Sequence, residues 1–91
     1  MLIGKVTGSV VSTQKEPTLV GRKLLIVKEM NSAGEIVGDK EMVAVDFAGA
    51  GEGDKVLLAF GSAARAIAMR KDTPIDLAVV GIIDSISIAG A

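Results

Sequence analysis

The sequence contains no cysteine, histidine, tryptophan or tyrosine, and Phe47 and Phe60 are its only aromatic residues. Without cysteine there is no disulfide framework and no thiol nucleophile. Without histidine the chain lacks the most frequent general base near neutral pH and the most frequent metal ligand. Two phenylalanines also leave little surface on which bases or sugars could stack. We therefore expect no catalytic residues, no metal and no cofactor.

The charge balance argues against a nucleic-acid ligand. Ten basic and eleven acidic side chains in 91 residues give a net charge of −1. A nucleic-acid binder usually has a basic surplus, because neutralising phosphates supplies much of its affinity. With 49% hydrophobic and 23% charged residues, the composition is that of a folded protein, and we expect one domain over residues 1–91.

The two ends of the chain give no sign of secretion or membrane insertion. The segment Met1–Val6 lacks the charged stretch before an apolar run that marks a signal peptide. The longest apolar stretch, Leu77–Ile83, is far shorter than the ~20 residues that span a bilayer. We therefore expect a cytoplasmic protein with no membrane partner.

Hydrophobic alternation predicts about five strands. Leu2, Val6 and Val10 share one phase of a period of two, which is typical of a half-buried strand. The further predicted strands are Arg22–Met30, Met42–Phe47 after a short extended piece at Ile36–Val37, Lys55–Phe60, and Ile75–Ile88.

One short helix is predicted after the fourth strand. Gly61 and Ser62 fit a helix start with Ser62 as the N-cap, and 63–70 contains strong helix formers. Thr73 and Pro74 would end it. A small all-β chain with many glycine bends removes its exposed edges by closing into a barrel, so we expect a five-stranded OB-like β-barrel.

The glycine-rich segment Gly49-Ala50-Gly51-Glu52-Gly53 differs from a dinucleotide-binding fingerprint. That fingerprint requires a helix directly after the glycines, whereas a strand is predicted here. A tight, packed turn explains the segment better, because glycine permits positive φ and close backbone approach.

The helix start, Gly61-Ser62-Ala63-Ala64-Arg65, offers free backbone N–H groups and one guanidinium group. It could bind an anion or the carboxylate of a neighbouring subunit. From residue types alone, a plain helix cap with a solvated Arg65 is the better interpretation.

Three aspartates, Asp46, Asp76 and Asp84, stand in apolar stretches of sequence. Paired carboxylates can perform acid–base catalysis, but no pattern places two of these together. Because buried carboxylates are normally paired, we expect a hydrogen-bonded structural role for each.

Several short motifs occur together in one order, and together they resemble the EutN/CcmL family of bacterial microcompartment vertex proteins. The motifs are Thr13–Glu16, Gly49–Gly51, Gly61–Arg65, Pro74–Asp76 and Val79–Asp84. The resemblance implies an OB-like barrel that assembles as a cyclic homopentamer and caps the vertices of a polyhedral shell among hexameric shell proteins. It also implies a structural role for Arg65, and we expect subunit-interface or pore-proximal positions at Gly49, Ala50, Gly51, Gly61, Ser62 and Arg65.

Two other functions fit parts of the sequence. The first is an OB-fold module that binds single-stranded nucleic acid, although charge and aromatic content argue against it. The second is a small enzyme or metabolite-binding regulator that uses Arg65 and the helix start as an anion site.

Overall fold

The computed structural model describes residues 1–13, 17–67 and 75–90. The strands in these ranges are β1 (Leu2–Val10), β2 (Leu24–Met30), β3 (Ile36–Asp46), β4 (Lys55–Phe60) and β5 (Leu77–Ile82). Helix α1 (Ser62–Ile67) follows β4, and a single 3-10 turn (Pro17–Leu19) precedes β2. Three parts of the sequence predictions lie outside the described residues, namely Gln14 to Glu16, the helical stretch 68–70, and the helix end at Thr73 and Pro74.

The strands close into a barrel in the order β1-β2-β3-β5-β4. Neighbouring strands are antiparallel except β3 and β5, which run parallel and pair Val45 with Ala78 and Asp46 with Val79. The prediction of a five-stranded barrel with one short helix is therefore confirmed. The β3–β5 pairing covers only these two residue pairs. Within the described residues, the earlier part of β3 therefore has no paired strand on that edge.

Alternation of side chains builds the barrel interior. In β4, Val56 and Leu58 are buried while Lys55 and Leu57 are exposed, as expected for a strand with one face towards the core. The main core cluster is aliphatic and draws on every strand, with Val6, Leu25, Val27, Ala44, Ala50, Val56, Leu58, Leu77 and Val79.

A second apolar cluster lies under α1. It contains Val45, Ala64, Ile75 and Ala78, with Phe47 packed against its side. Ala64 is fully buried, and its small side chain lets the helix backbone lie close to the barrel. The helix is therefore fixed to the barrel through Ala64, and its other face is left at the surface.

The structure corrects two strand predictions. Residues 36–46 form one continuous strand and not two pieces, although Gly38 has a φ of 70° within it. The last strand is shorter than predicted and covers Leu77–Ile82 in place of Ile75–Ile88. Both errors have the same cause. Side-chain alternation indicates which residues tend to form a strand, but it does not show where a neighbouring strand is present to pair with them.

The helix cap also differs from the prediction. The helix begins at Ser62, and the Gly61 carbonyl accepts a hydrogen bond from the Arg65 N–H at 3.3 Å. Gly61 therefore occupies the N-cap position and the assignment of Ser62 to it was wrong. Gly61 has a φ of 65°, a conformation that only glycine adopts readily. In the described part of the chain, no helix has the length and apolar character needed to cross a membrane.

Candidate functional site

Asp46 organises the loop that follows β3. Its carboxylate accepts hydrogen bonds from the N–H of Ala48 at 3.0 Å and from the N–H of Ala50 at 3.1 and 3.3 Å. The side chain is only 4% exposed. Because a buried carboxylate is stable only when it is paired or hydrogen-bonded, these contacts account for an aspartate at the end of an apolar strand.

Lys23 completes this cluster from the segment before β2. Its Nζ lies 3.5 Å from Asp46 Oδ2 and also donates a hydrogen bond to the Ala50 carbonyl. Lys23 and Asp46 are therefore both bonded to Ala50, one to its carbonyl and the other to its N–H. We call these three residues the loop latch. It joins the residue before β2, the end of β3 and the glycine-rich turn.

Hydrogen bonds to Asp54 and to β1 hold the remainder of the glycine-rich turn. The Gly51 N–H donates to the Asp54 carboxylate at 2.9 Å, and the Gly53 N–H donates to the Val6 carbonyl at 2.8 Å. Gly49 has a φ of 77° and is exposed, whereas Ala50 is buried and Gly51 is half-buried. Among Gly49, Ala50 and Gly51, the first is therefore the one most open to a neighbouring molecule.

The outer face of α1 consists of small residues around one arginine. Ser62, Ala63 and Ala66 are exposed, and Arg65 is half-buried among them. Within residues 1–13, 17–67 and 75–90, Arg65 forms no salt bridge. The Gly61 N–H donates to the Asp76 carbonyl at 3.0 Å, which fixes the helix start against the entry to β5.

The structure separates the three aspartates. Asp46 is buried in the loop latch, whereas Asp76 and Asp84 are both exposed. Asp76 lies near Phe60 and Leu77 at the edge of a groove, and Asp84 lies just after β5 beside Ser85 and Ile86. A structural role for Asp76 and Asp84 stays a prediction.

Two exposed apolar surfaces were not predicted from the sequence. The first, which we call the β3 groove, is lined by Leu2, Met42, Val43, Phe60 and Leu77, with Lys40, Glu41 and Asp76 at its rim. Val43 and Phe60 are 51% and 50% exposed. The second, on the outside of β1, β4 and β5, contains Ile3, Leu57, Ile82 and Ile86. Clusters of exposed apolar residues mark protein contacts. The sequence signal that could have indicated these surfaces was the unbroken hydrophobicity of the strands.

The described residues contain no group of three or more acidic side chains arranged to hold a metal ion. They present surfaces of small and apolar residues, together with two half-buried guanidinium groups, Arg22 over the Phe47 ring and Arg65 on α1. Such surfaces are suited to contacts between proteins.

Comparison with known proteins assigns the family. The family model described as "Ethanolamine utilisation protein EutN/carboxysome" matches residues 1–84. The chain is 49% identical to the bacterial microcompartment shell vertex protein PduN of Salmonella typhimurium (strain LT2), over 96% of this chain and 99% of that protein. It is 51% identical to the carboxysome shell vertex protein CcmL of Thermosynechococcus vestitus, over 96% of this chain and 87% of that protein.

Solved structures agree with the sequence comparison. The pentameric microcompartment shell protein GrpN from Rhodospirillum rubrum superposes with a TM-score of 0.86 and 42% identity, covering 97% of this chain and 99% of that one. The ethanolamine utilization protein EutN superposes with a TM-score of 0.91 and 39% identity, covering 99% and 93%. Together with the closed barrel, these matches establish that the chain belongs to the EutN/CcmL family of microcompartment shell vertex proteins.

Proposed function

We propose that this protein is a non-enzymatic structural subunit that forms a homopentamer and closes the vertices of a bacterial microcompartment shell. The observation that carries the proposal is near full-length similarity to proteins named as shell vertex proteins, one of which is pentameric. The described surface fits this role, because it offers apolar and small-residue faces for neighbouring subunits.

The need for a pentamer follows from the geometry of shells. A flat lattice of hexagonal tiles cannot close, and pentagons supply the missing curvature. A cyclic pentamer uses one heterologous interface repeated five times, so each subunit must present two different complementary surfaces. The β3 groove and the apolar surface around Ile3 and Leu57 are separate, as such an interface requires. Hexameric shell proteins would be the partners around each vertex.

We further propose that Gly49, Gly61, Ser62 and Arg65 lie at the subunit interface or near the pentamer axis. Gly49 and Ser62 are exposed, and Arg65 has no salt-bridge partner within the described residues of its own subunit. A guanidinium group that is half-buried in one subunit is well placed to pair with a carboxylate of the next. Ala50 and Gly51 act in this proposal by supporting Gly49 from within the turn.

Shell co-assembly tests the proposed function. Hexameric shell proteins from the same organism would be produced with and without this chain, and the particles would be examined by electron microscopy. We expect closed polyhedra only when the chain is present, and open sheets, tubes or incomplete shells without it. Closed polyhedra of equal number and shape in its absence would contradict the proposal.

A further inference from the structure

Three lysines form a row across the outside of the barrel. Lys5 of β1 lies directly opposite Lys28 of β2 on one side and directly opposite Lys55 of β4 on the other. Directly opposed residues of antiparallel strands point to the same face of a sheet. Lys5 and Lys55 are exposed, and Lys28 is half-buried. We call these three residues the lysine row.

Neighbouring acidic residues do not neutralise the lysine row. Within residues 1–13, 17–67 and 75–90, none of its three ammonium groups forms a salt bridge. Glu29 follows Lys28 in sequence, but alternation along β2 places it on the other face of the strand. Asp54 precedes the third lysine, but its carboxylate accepts a hydrogen bond from the Gly51 N–H. The acidic residues next to the row in sequence therefore serve other contacts.

Two acidic side chains lie at the ends of the lysine row. Glu41 of β3 is opposite Lys28, and Asp84 lines the same cleft as Lys55, yet neither forms a salt bridge within the described residues. Lys5, at the centre, has a lysine on each side. Like charges directly opposite one another on neighbouring strands destabilise a sheet. The row therefore carries an electrostatic cost in the single subunit, which an anionic ligand would remove.

The lysine row lies beside the apolar surface around Ile3 and Leu57. On β1 and β4, the pair of Lys5 and Lys55 is two residues from the pair of Ile3 and Leu57 on the same face. From there the row continues away from the apolar surface to Lys28 on β2. When a neighbouring subunit covers the apolar surface, the row lies at the rim of that contact, where charged side chains stay accessible to solvent. The row then remains open to a different partner.

The spacing of the lysine row fits a helix that carries carboxylates on one face. Neighbouring strands lie about 4.8 Å apart, so the three lysine side chains start at steps of this length along a line that crosses the strands. Side chains three or four residues apart on a helix are separated by about 5–6 Å. Alternate residues of an extended segment are about 6.6 Å apart and match the row less well. The spacing therefore favours a helical ligand.

We propose that the lysine row binds an acidic helix of a partner protein, with aspartate or glutamate side chains of successive turns facing Lys28, Lys5 and Lys55. Charge complementarity supplies the attraction, and salt weakens it. Nucleic acid fits less well, because the chain has a net charge of −1 and its two phenylalanines lie elsewhere, Phe47 under Arg22 and Phe60 in the β3 groove. This interaction goes beyond closing a shell vertex, since it attaches a further protein to the subunit.

Binding of a synthetic peptide tests the proposal. The probe is a fluorescein-labelled, alanine-based helix with glutamates along a single face. The control peptide has the same composition, with its glutamates distributed around the helix. Fluorescence anisotropy measures the affinity of each peptide for the purified full chain. We expect the one-faced peptide to bind at low salt and to dissociate at high salt, and the distributed peptide to bind several-fold more weakly.

Two lysine substitutions form a matched pair. Lys5→Gln removes the centre of the row, and Lys40→Gln removes an exposed lysine outside it. Lys5→Gln should weaken the one-faced peptide about two- to fivefold, the usual effect of losing one exposed ion pair. Lys40→Gln should leave its affinity unchanged. Lys5→Gln should also raise the Tm, because it removes like-charge contacts on both sides of β1.

Several results would overturn the inference. These are equal affinity for the two peptides, equal effects of Lys5→Gln and Lys40→Gln, and binding of polyphosphate or single-stranded DNA without binding of the one-faced peptide. A lower Tm of Lys5→Gln would show that its ammonium group is used within the subunit. A change of subunit number in Lys5→Gln, measured by native mass spectrometry, would place the row in the subunit interface. Each of these results leaves the proposed function in place, because that function depends on the assembly of the unsubstituted chain.

Discussion

Both carboxylate oxygens of Asp46 lie within hydrogen-bonding distance of the Ala50 N–H, at 3.1 and 3.3 Å. This contact fixes the turn that carries Gly49 on the surface. The same carboxylate is bonded to the Ala48 N–H and approached by Lys23. The buried Asp46 side chain therefore helps to hold the shape of a loop for which we propose a place at the subunit interface.

The first prediction concerns removal of that carboxylate. Asp46→Ala leaves the N–H groups of Ala48 and Ala50 without their acceptor, and we expect a loss of about 2–4 kcal/mol in the free energy of unfolding. Asp46→Asn keeps one acceptor oxygen and should lose less. Urea unfolding of the two variants provides the comparison. Equal stability of Asp46→Ala and the unsubstituted chain would show that the latch does not hold the loop.

The second prediction concerns the cation of the latch. Lys23 is 51% exposed on its side chain, so water screens its attraction to Asp46, and we expect Lys23→Met to cost about 0.5–1 kcal/mol. In a double-mutant cycle with Asp46→Asn, the two effects should be non-additive, because both substitutions break the same contact. Strict additivity would mean that the Lys23 ammonium and the Asp46 carboxylate do not interact in solution.

The third prediction uses two glycines of β1 as a matched pair. A Cβ on Gly4 would lie 2.8 Å from Leu58 Cδ1 and 3.0 Å from the Lys28 carbonyl oxygen. On Gly8 the nearest atom would be Ile26 Cδ1 at 3.5 Å, an ordinary contact. We expect Gly4→Ala to destabilise the barrel by about 1–3 kcal/mol. Gly8→Ala should be close to neutral, because the side chain fits and the unfolded chain loses freedom.

Thermal unfolding of both alanine variants, checked by urea titration, measures this difference. Similar stabilities for Gly4→Ala and Gly8→Ala would mean that β1 and β4 do not approach as closely at Gly4 as the structure indicates.

The fourth prediction concerns Arg65. If its guanidinium group pairs with a carboxylate across the interface, Arg65→Ala should weaken the pentamer by about 2–5 kcal/mol. Arg65→Lys keeps the charge but not the planar fork of donors and should recover only part of this. The subunit itself should fold normally, since α1 is held by Ala64 on its other face. Dilution series followed by mass photometry would measure the assembly, and an unchanged pentamer in Arg65→Ala would exclude an interfacial role.

Most of what the sequence predicts about the barrel comes from the alternation of apolar and polar side chains. The bounds of β4 agree with those predicted, because apolar residues run from Val56 to Phe60 between polar loops. The end of β5 was missed, because Ile86 and Ile88 keep the strand pattern although no strand of the described residues pairs with them.

The loop latch illustrates what the sequence could not supply. An aspartate after an apolar run indicated a buried, hydrogen-bonded carboxylate, but its partners depend on how the glycine turn folds back. Lys23 stands more than 20 positions before Asp46, and only the pairing of β2 with β3 brings the two together. The hydrophobicity of the strands indicated apolar surface, but the β3 groove is formed only where β1, β3, β4 and the entry to β5 meet in the closed barrel.

The number of subunits in the assembled particle tests the central claim most directly. Native mass spectrometry of the purified chain, repeated across concentrations with light scattering, measures it without reference to any partner. The account predicts a closed species of five 9.3 kDa chains, with smaller species appearing only on dilution. A monomer, dimer or hexamer that persists across the whole concentration range would contradict it.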